Sequence, residues 1–249
     1  MRRYLGTTGA RGFVVGLSGG VDSATVARLA QLAAPGAVVA VLLPCHSDPR
    51  DERDAMLVAK QFSLPTATVD LSATHDRLAA DAQAALQWLT PQLRAGASAE
   101  VLAAGDPRAR IPAANIKPRL RMTTLYFIAN SLNYLVAGTG NRAELAVGYF
   151  TKYGDGGCDL LPLGRLHKSE VRAVARELHI PAPIVERTPS AGLWAGQTDE
   201  EEMGFTYADI ERYLEEGPQG VSPALAMRIE RLARSSDHKR ELPPMPDPD

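Results

Sequence analysis

The chain predicts an α/β fold, a doubly wound parallel sheet with helices on both faces, and three observations carry that prediction. Gly12-Phe13-Val14-Val15 and Ala37-Val38-Val39-Ala40-Val41-Leu42-Leu43-Pro44 are continuous apolar runs of the kind expected for strands buried on both sides. Amphipathic stretches alternate with these runs, which is the pattern of βαβ units. The first run also passes through a glycine-rich turn straight into a helix. At 249 residues and 45% hydrophobic content the chain is long enough for one large domain spanning 1–249, and nothing in its composition calls for a second core.

The elements follow in order. Ala24-Thr25-Val26-Ala27-Arg28-Leu29-Ala30 reads as the helix after the first strand. A helix is expected around Asp51 to Phe62, a short strand at Thr66-Ala67-Thr68-Val69-Asp70, and a helix from about Thr74 to Leu89 with Leu78, Ala82, Ala85, Leu86 and Leu89 on one side. Another helix near Arg119 to Asn130 precedes the strand Tyr134-Leu135-Val136-Ala137-Gly138, and Leu166-His167-Lys168-Ser169-Glu170 opens a helix with core residues Val171, Val174, Ala175 and Leu178. The stretch from Thr90 to Ala114, rich in Ala, Gly and Pro, reads as a mostly irregular excursion with room for a short helix around Ala99 to Ala104. The last residues, from about 236 to 249, read as an extended tail, since Leu242-Pro243-Pro244-Met245-Pro246-Asp247-Pro248-Asp249 sustains neither helix nor central strand. No internal repeat is present.

Gly16-Leu17-Ser18-Gly19-Gly20-Val21-Asp22-Ser23 carries the most chemical information. Its glycines permit a sharp turn and a close backbone approach, and Ser18, Ser23 and the amides opening the helix offer donors to an anion. It lacks the lysine of a Walker A loop and the spacing G-x-G-x-x-G. An acid beside bound phosphate is repulsive without a cation, so Asp22 implies magnesium bridging carboxylate and phosphate. The plainer reading is a glycine turn with a helix-capping Ser or Asp. In doubly wound sheets ligands sit outside the carboxyl ends of the strands, where this loop and the turn Gly138-Thr139-Gly140-Asn141 both fall, so the two are expected to face one pocket.

Bulk properties exclude more than they identify. A net charge of −2 and a pI near 6.2 disfavour a nucleic-acid-coating surface. Cys45 and Cys158 form no C-x-x-C pair, there is no signal-like apolar start, and no apolar run spans a bilayer, so a reducing cytoplasm is expected and no membrane partner. Only five of the 27 basic residues are lysines, and Lys117, Lys152, Lys168 and Lys239 all fall in segments singled out on other grounds. In an arginine-preferring chain this is a weak sign that a compact ammonium is needed there. Asn115-Ile116-Lys117-Pro118-Arg119-Leu120-Arg121-Met122 concentrates three cations, and Gly148-Tyr149-Phe150-Thr151-Lys152-Tyr153-Gly154-Asp155-Gly156-Gly157 is hard to explain by packing alone.

With these segments in hand the chain resembles the NAD synthetase family of ATP pyrophosphatases, in its short ammonia-dependent form. The resemblance runs from about Gly12 to Pro244. It is carried by the first loop, by Asn115 to Met122, by Gly138-Thr139-Gly140-Asn141-Arg142-Ala143-Glu144 and by Phe150 to Gly157. Two later segments add to it, Thr188-Pro189-Ser190-Ala191-Gly192-Leu193-Trp194-Ala195-Gly196-Gln197-Thr198-Asp199-Glu200 and Asp237-His238-Lys239-Arg240. It implies a Rossmann-like fold of the adenine nucleotide alpha hydrolase type and the conversion of deamido-NAD to NAD with ATP, Mg2+ and ammonia through an acyl-adenylate. Following the family's motif, Gly16, Leu17, Ser18, Gly19, Gly20, Val21, Asp22, Ser23, Thr139, Lys168 and Ser190 would hold ATP. Asp22 and Glu144 would share magnesium, and Lys168 would answer charge on departing pyrophosphate. Arg119, Lys152, Asp159, His238 and Lys239 would hold the dinucleotide, with Asp159 also a proton acceptor from ammonium; Tyr149 and Phe150 either stack on the nicotinate ring or belong to the core. The family's short form is a two-fold dimer, so a homodimer is implied. The family also carries a further helix before its first strand, where this chain has only Met1 to Ala10.

Competing readings are another ATP pyrophosphatase, such as a GMP synthetase-like amidase or a tRNA-modifying enzyme, and a non-catalytic nucleotide sensor. Two distant cysteines and a slightly acidic chain supply neither a sulfur-transfer pair nor a basic face, and a mere binder has no need for Asp22, Glu144 and Lys168 together.

Overall fold

A computed structural model of the protein describes residues 1–96, 110–190, 192 and 198–246. Its centre is a four-stranded parallel sheet of β1 (Phe13–Gly16), β2 (Val38–Leu42), β3 (Thr66–Thr68) and β4 (Leu135–Val136), in the order β3-β2-β1-β4. β1 pairs with β2 from Phe13↔Val38 to Gly16↔Val41, and on its other side with β4 at Phe13↔Leu135. The chain thus winds outward through β2 and β3, then crosses back to lay β4 on the opposite side of β1, with a single bridge from Ala137 to Leu160 beyond. The winding reverses between β1 and β4, and there the loop after Gly16 and the turn after β4 stand side by side.

The apolar runs make strands because both faces are covered. Phe13 and Val15 face one core with α2 (Val21–Ala33), α3 (Pro49–Gln61), α8 (Lys168–Glu177) and α9 (Ala182–Val185). Val14 and Val41 face the other, with Leu71 and with Ala129 of α6 (Ile116–Leu132). Each of these fully buried strand side chains contributes about 1.5–3 kcal/mol of apolar burial. In α2 the buried Ala24, Ala27 and Ala30 let the helix lie close to the sheet.

Three expectations change. The first strand is preceded by a helix, α1 (Arg2–Thr8), whose Leu5 packs on the first core and whose Arg2 donates to the Leu32 carbonyl at 2.8 Å. The excursion expected from Thr90 to Ala114 is largely not irregular where it is described. α4 (Ser72–Gly96) continues through Pro91, and α5 (Arg110–Ala114) follows; the short helix expected around 99–104 lies outside the described residues. The tail is extended only after Arg240, because residues 237–239 form a 3-10 turn at the end of α12 (Pro223–Ser235).

A third core was not read from the sequence. α7 (Arg142–Val147), α10 (Asp199–Met203), α11 (Tyr207–Glu216) and α12 pack Ala143, Val147, Met203, Phe205, Ile210 and Ile229 together. Capping starts these helices where they start: Asn141 accepts from Glu144 N, Thr198 from Glu201 N, Thr206 from Asp209 N and Ser222 from Leu225 N. No helix among the described residues is long and apolar enough to cross a membrane.

Candidate active site

The glycine loop is built as its sequence requires. Gly19 has φ +82, and a Cβ there would stand 2.5 Å from the Asp51 carbonyl oxygen, so no other residue fits. The two serines brace the turn: Ser23 Oγ accepts from the Ser18 amide at 3.2 Å, the two hydroxyls share a hydrogen bond at 3.0 Å, and Ser18 Oγ accepts from the Gly20 amide at 3.3 Å. The first intrahelical bond of α2 is donated by Ala24 to Gly20 O, which leaves the amides of Val21, Asp22 and Ser23 without helical partners. That geometry is the one that anion-binding helix N-termini present.

Beside it lies a buried charged cluster drawn from the first turns of five helices. Lys168, the first residue of α8, donates to Asp22 Oδ2 of α2 and stands 3.9 Å from Glu144 Oε1 of α7. The Lys168 side chain is 4% exposed, against 18% and 17% for Asp22 and Glu144. Asn141 donates to Asp22 Oδ1 at 3.4 Å and, through its backbone, to Glu144 Oε2 at 3.1 Å. Tyr207, opening α11, donates its hydroxyl toward Glu144 Oε1 at 3.1 Å and Asp199 Oδ2 at 2.9 Å, and its ring lies 4.9 Å below the Lys168 ammonium. Tyr149 caps the far side with contacts to Asp199 Oδ1 at 3.3 Å and Glu202 Oε2 at 2.8 Å.

Three carboxylates, Asp22, Glu144 and Asp199, therefore share one ammonium, and the single Tyr207 proton serves two of them. Burial and the neighbouring Asp22 charge push Glu144 up to about 8, and burial also raises Asp199. Burial works against a charged Lys168, yet Asp22 and Glu144 more than offset it and hold the ammonium above its ordinary range. Three carboxylates thus gather beside the helix N-terminus, Asp22 and Glu144 with one edge open to solvent. Such a donor set fits a magnesium ion held by one or two carboxylates and completed by substrate phosphate.

The residues expected to hold the dinucleotide form a second group, with one exception. Lys152 donates to the His238 carbonyl, Arg119 Nη2 approaches Lys152 O at 3.5 Å, and Lys239 donates to Gly148 O at 2.7 Å and Phe150 O at 2.8 Å. The 3-10 turn is thus folded over the 148–157 loop, with the side chains of Arg119 and His238 exposed. Asp159 makes its hydrogen bonds with β4 and α6 instead. Its Oδ2 accepts from the Val136 amide at 2.7 Å and its Oδ1 from the Tyr126 hydroxyl at 3.0 Å, which gives it the geometry of a brace for β4.

Ser190 is exposed and its Oγ accepts from Gly192 N at 3.1 Å; a Cβ on Gly192 would lie 3.9 Å from Asp51 Oδ2, so this segment runs along the start of α3 beside Gly19. Residues 191 and 193–197 of the same motif lie outside the described residues. Thr139 sits half-buried directly after Gly138 at the carboxyl end of β4. Sequence reasoning assigned no role to Asn141, Asp199, Tyr207 or to Arg187, which clamps Asp51 and Asp54. Tyr149 turns its hydroxyl to Asp199 and Glu202 and packs on the third core, so the core reading of that ring is the one the structure supports. Both thiols are raised by burial, Cys158 to about 11, and neither has the character of a nucleophile.

Fold and site together define an α/β protein of the nucleotide-binding class, whose glycine loop opens onto clustered carboxylates and one buried lysine. The model of the NAD synthase family matches residues 1–243, and the chain belongs to that family. It is 49% identical over 237 residues to the NH(3)-dependent NAD(+) synthetase of Carboxydothermus hydrogenoformans, covering 95% of this chain and 89% of the relative. Among solved structures it is similar to the NMN synthetase of Francisella tularensis, with TM-score 0.85, 35% identity and coverage of 99% and 93%. The NH3-dependent NAD synthetase of Campylobacter jejuni follows with TM-score 0.75, 25% identity and coverage of 99% and 94%.

Proposed function

We propose that the chain amidates deamido-NAD to NAD with ATP and ammonia, and the observation that carries this is the placing of Asp22, Glu144 and Lys168 against the glycine loop. A carboxylate is a poor acyl donor. Its oxygen first attacks the α-phosphorus of ATP, forming a carboxyl-phosphate anhydride while the bond to pyrophosphate breaks; ammonia then attacks the acyl carbon, AMP leaves, and a proton is lost from nitrogen. In-line displacement at phosphorus is mostly positioning and charge neutralisation. The amides of Val21 to Ser23, with Ser18 and Ser23, hold phosphate oxygens, and Thr139 and Ser190 border the same edge. Lys168 answers the charge that grows on pyrophosphate. Asp22 and Glu144 would hold magnesium, which when bound neutralises phosphate charge. Arg119, Lys152, His238 and Lys239 line the loop that receives the dinucleotide.

Ammonia enters as such, since two thiols raised by burial offer no glutaminase nucleophile. On the family resemblance the protein is a cytoplasmic homodimer, which light scattering tests. A second substrate is favoured by one observation, the Francisella neighbour named for NMN. Purified chain incubated with ATP, Mg2+, ammonium and either deamido-NAD or nicotinic acid mononucleotide decides between them. NAD formed with the higher kcat/KM supports the dinucleotide as substrate, NMN formed with the higher value replaces it with the mononucleotide, and neither product overturns the activity.

A further inference from the structure

We propose that His46, His75 and Asp76 form a binding site for a divalent cation of the zinc class, separate from the oxygen-only cluster around Glu144. His46 lies just beyond the carboxyl end of β2, and His75 and Asp76 stand in the first turn of α4. One ligand atom from each lies within 4.8 Å of the others; His46 Nε2 is 2.7 Å and His75 Nδ1 3.2 Å from Asp76 Oδ1.

The hydrogen-bond pattern suits a cation. His75 Nε2 is 3.2 Å from the Ala113 carbonyl, which can only accept, so that nitrogen carries the hydrogen. Nδ1 faces the Asp76 carboxylate at 3.2 Å, so positive charge is needed between ring and carboxylate, which either a second ring proton or a bound cation supplies. An imidazole anchored through one N–H on a backbone carbonyl, with its other nitrogen turned to a carboxylate, is the orientation that metal-ligating histidines take. His46 is held for the same arrangement at φ +53, an uncommon backbone state outside glycine, with its amide donating to Ser72 Oγ at 3.2 Å. Its ring meets that of His75 edge to face at 5.6 Å.

Two imidazoles and one carboxylate select zinc or cobalt over magnesium, which prefers oxygen alone. The His46 and Asp76 side chains are 47% and 61% exposed, which leaves the fourth position to water. A bound ion would clip the segment leaving β2 to α4 and, through Ala113, to α5. None of these contacts depends on the amidation chemistry.

The full chain, stripped with chelator and then titrated with Co2+ in millimolar Mg2+, tests it. One equivalent of Co2+ with visible absorption bands is expected, displaced by Zn2+, with two of the five histidine ring signals shifted by the paramagnetic ion. His46→Ala and Asp76→Asn, both exposed, should weaken binding by about tenfold or more each, and His75→Gln likewise. Unchanged affinity in the His46→Ala/Asp76→Asn double variant, no shifted histidine pair in the unsubstituted protein, or no binding at tens of micromolar Co2+ would each overturn the proposal.

Discussion

The sheet half of the molecule, β1 to β4 with α2 and α8, brings donors to the site: the free amides of Val21 to Ser23, two serine hydroxyls and the Lys168 ammonium. The helical half, α7 with α10 to α12, brings mostly acceptors: Glu144, Asp199 and Glu202, tied by Tyr207 and Tyr149. One half is made to attract phosphate and the other, by itself, to repel it. The amidation proposed above uses both, the donors to bind the anion and the acceptors to hold a counter-cation where charge would develop. Asp22 is the exception that joins them, an acid placed inside the donor half and paired with its lysine.

The strongest way to break this division is Lys168→Met. It removes the one ammonium from among three carboxylates, and turnover is expected to fall about 10²–10³-fold with deamido-NAD binding little changed, as read by pyrophosphate release and by equilibrium binding. Lys152→Ala should instead raise KM for the dinucleotide. Next, Asp22→Asn and Glu144→Gln should each lower turnover about 10²-fold and raise the magnesium needed for half-maximal rate; an unchanged magnesium curve in both would remove these residues from the metal site.

Acidity sharpens the comparison further. Glu144, held up to about 8 from an ordinary 4.5 by burial and by Asp22, binds its proton more tightly folded than unfolded. It therefore favours folding below about pH 4.5, and that contribution is lost as pH rises toward about 8. A cation that binds the ionised carboxylate opposes the loss, so magnesium should raise the melting temperature more near pH 9 than near pH 6, and Glu144→Gln should flatten the difference. Tyr207→Phe is a smaller test, expected to cost about 1–2 kcal/mol in kcat/KM by leaving Glu144 and Asp199 short of a donor, with its larger effect on magnesium dependence than on KM for ATP. The smallest effect on turnover is expected for Asp159→Asn. It should cost about 1 kcal/mol of stability through Val136 and Tyr126 and leave the rate within about twofold. A rate loss like that of Lys168→Met would make Asp159 a participant rather than a brace.

The two halves also differed in how far their sequence could be read. Strands with unbroken apolar runs, and a loop whose Gly19 admits no side chain, announce themselves locally, so the sheet, the shape of the glycine loop and the meeting of Asp22, Glu144 and Lys168 are legible. The helical half is held by contacts among residues 144, 149, 199 and 207, which only the fold brings together. Its local signals were present in Thr198-Asp199-Glu200-Glu201-Glu202 and in the capped start at Thr206, but an acidic run reads equally as a solvated face. Pro91 misled in the opposite direction, since a proline inside an alanine-rich stretch with weak periodicity looks like a helix end, yet α4 passes through it to Gly96. Asp159 was assigned by its place in a motif. Its two short hydrogen bonds were invisible until β4 and α6 were side by side.

The 3-10 turn at residues 237–239 fixes when the protein becomes whole. Lys239 spends two donors on the carbonyls of Gly148 and Phe150, and Arg240 reaches back to Leu145 O at 2.9 Å and Ala233 O at 2.7 Å. The loop at 148–157 therefore takes its shape from residues almost a hundred positions further on. During synthesis the sheet and its glycine loop can assemble while the third core still lacks Ile229 and the loop lacks its strap. A nascent or C-terminally clipped chain would then display a formed glycine loop beside a 148–157 loop that still lacks its strap.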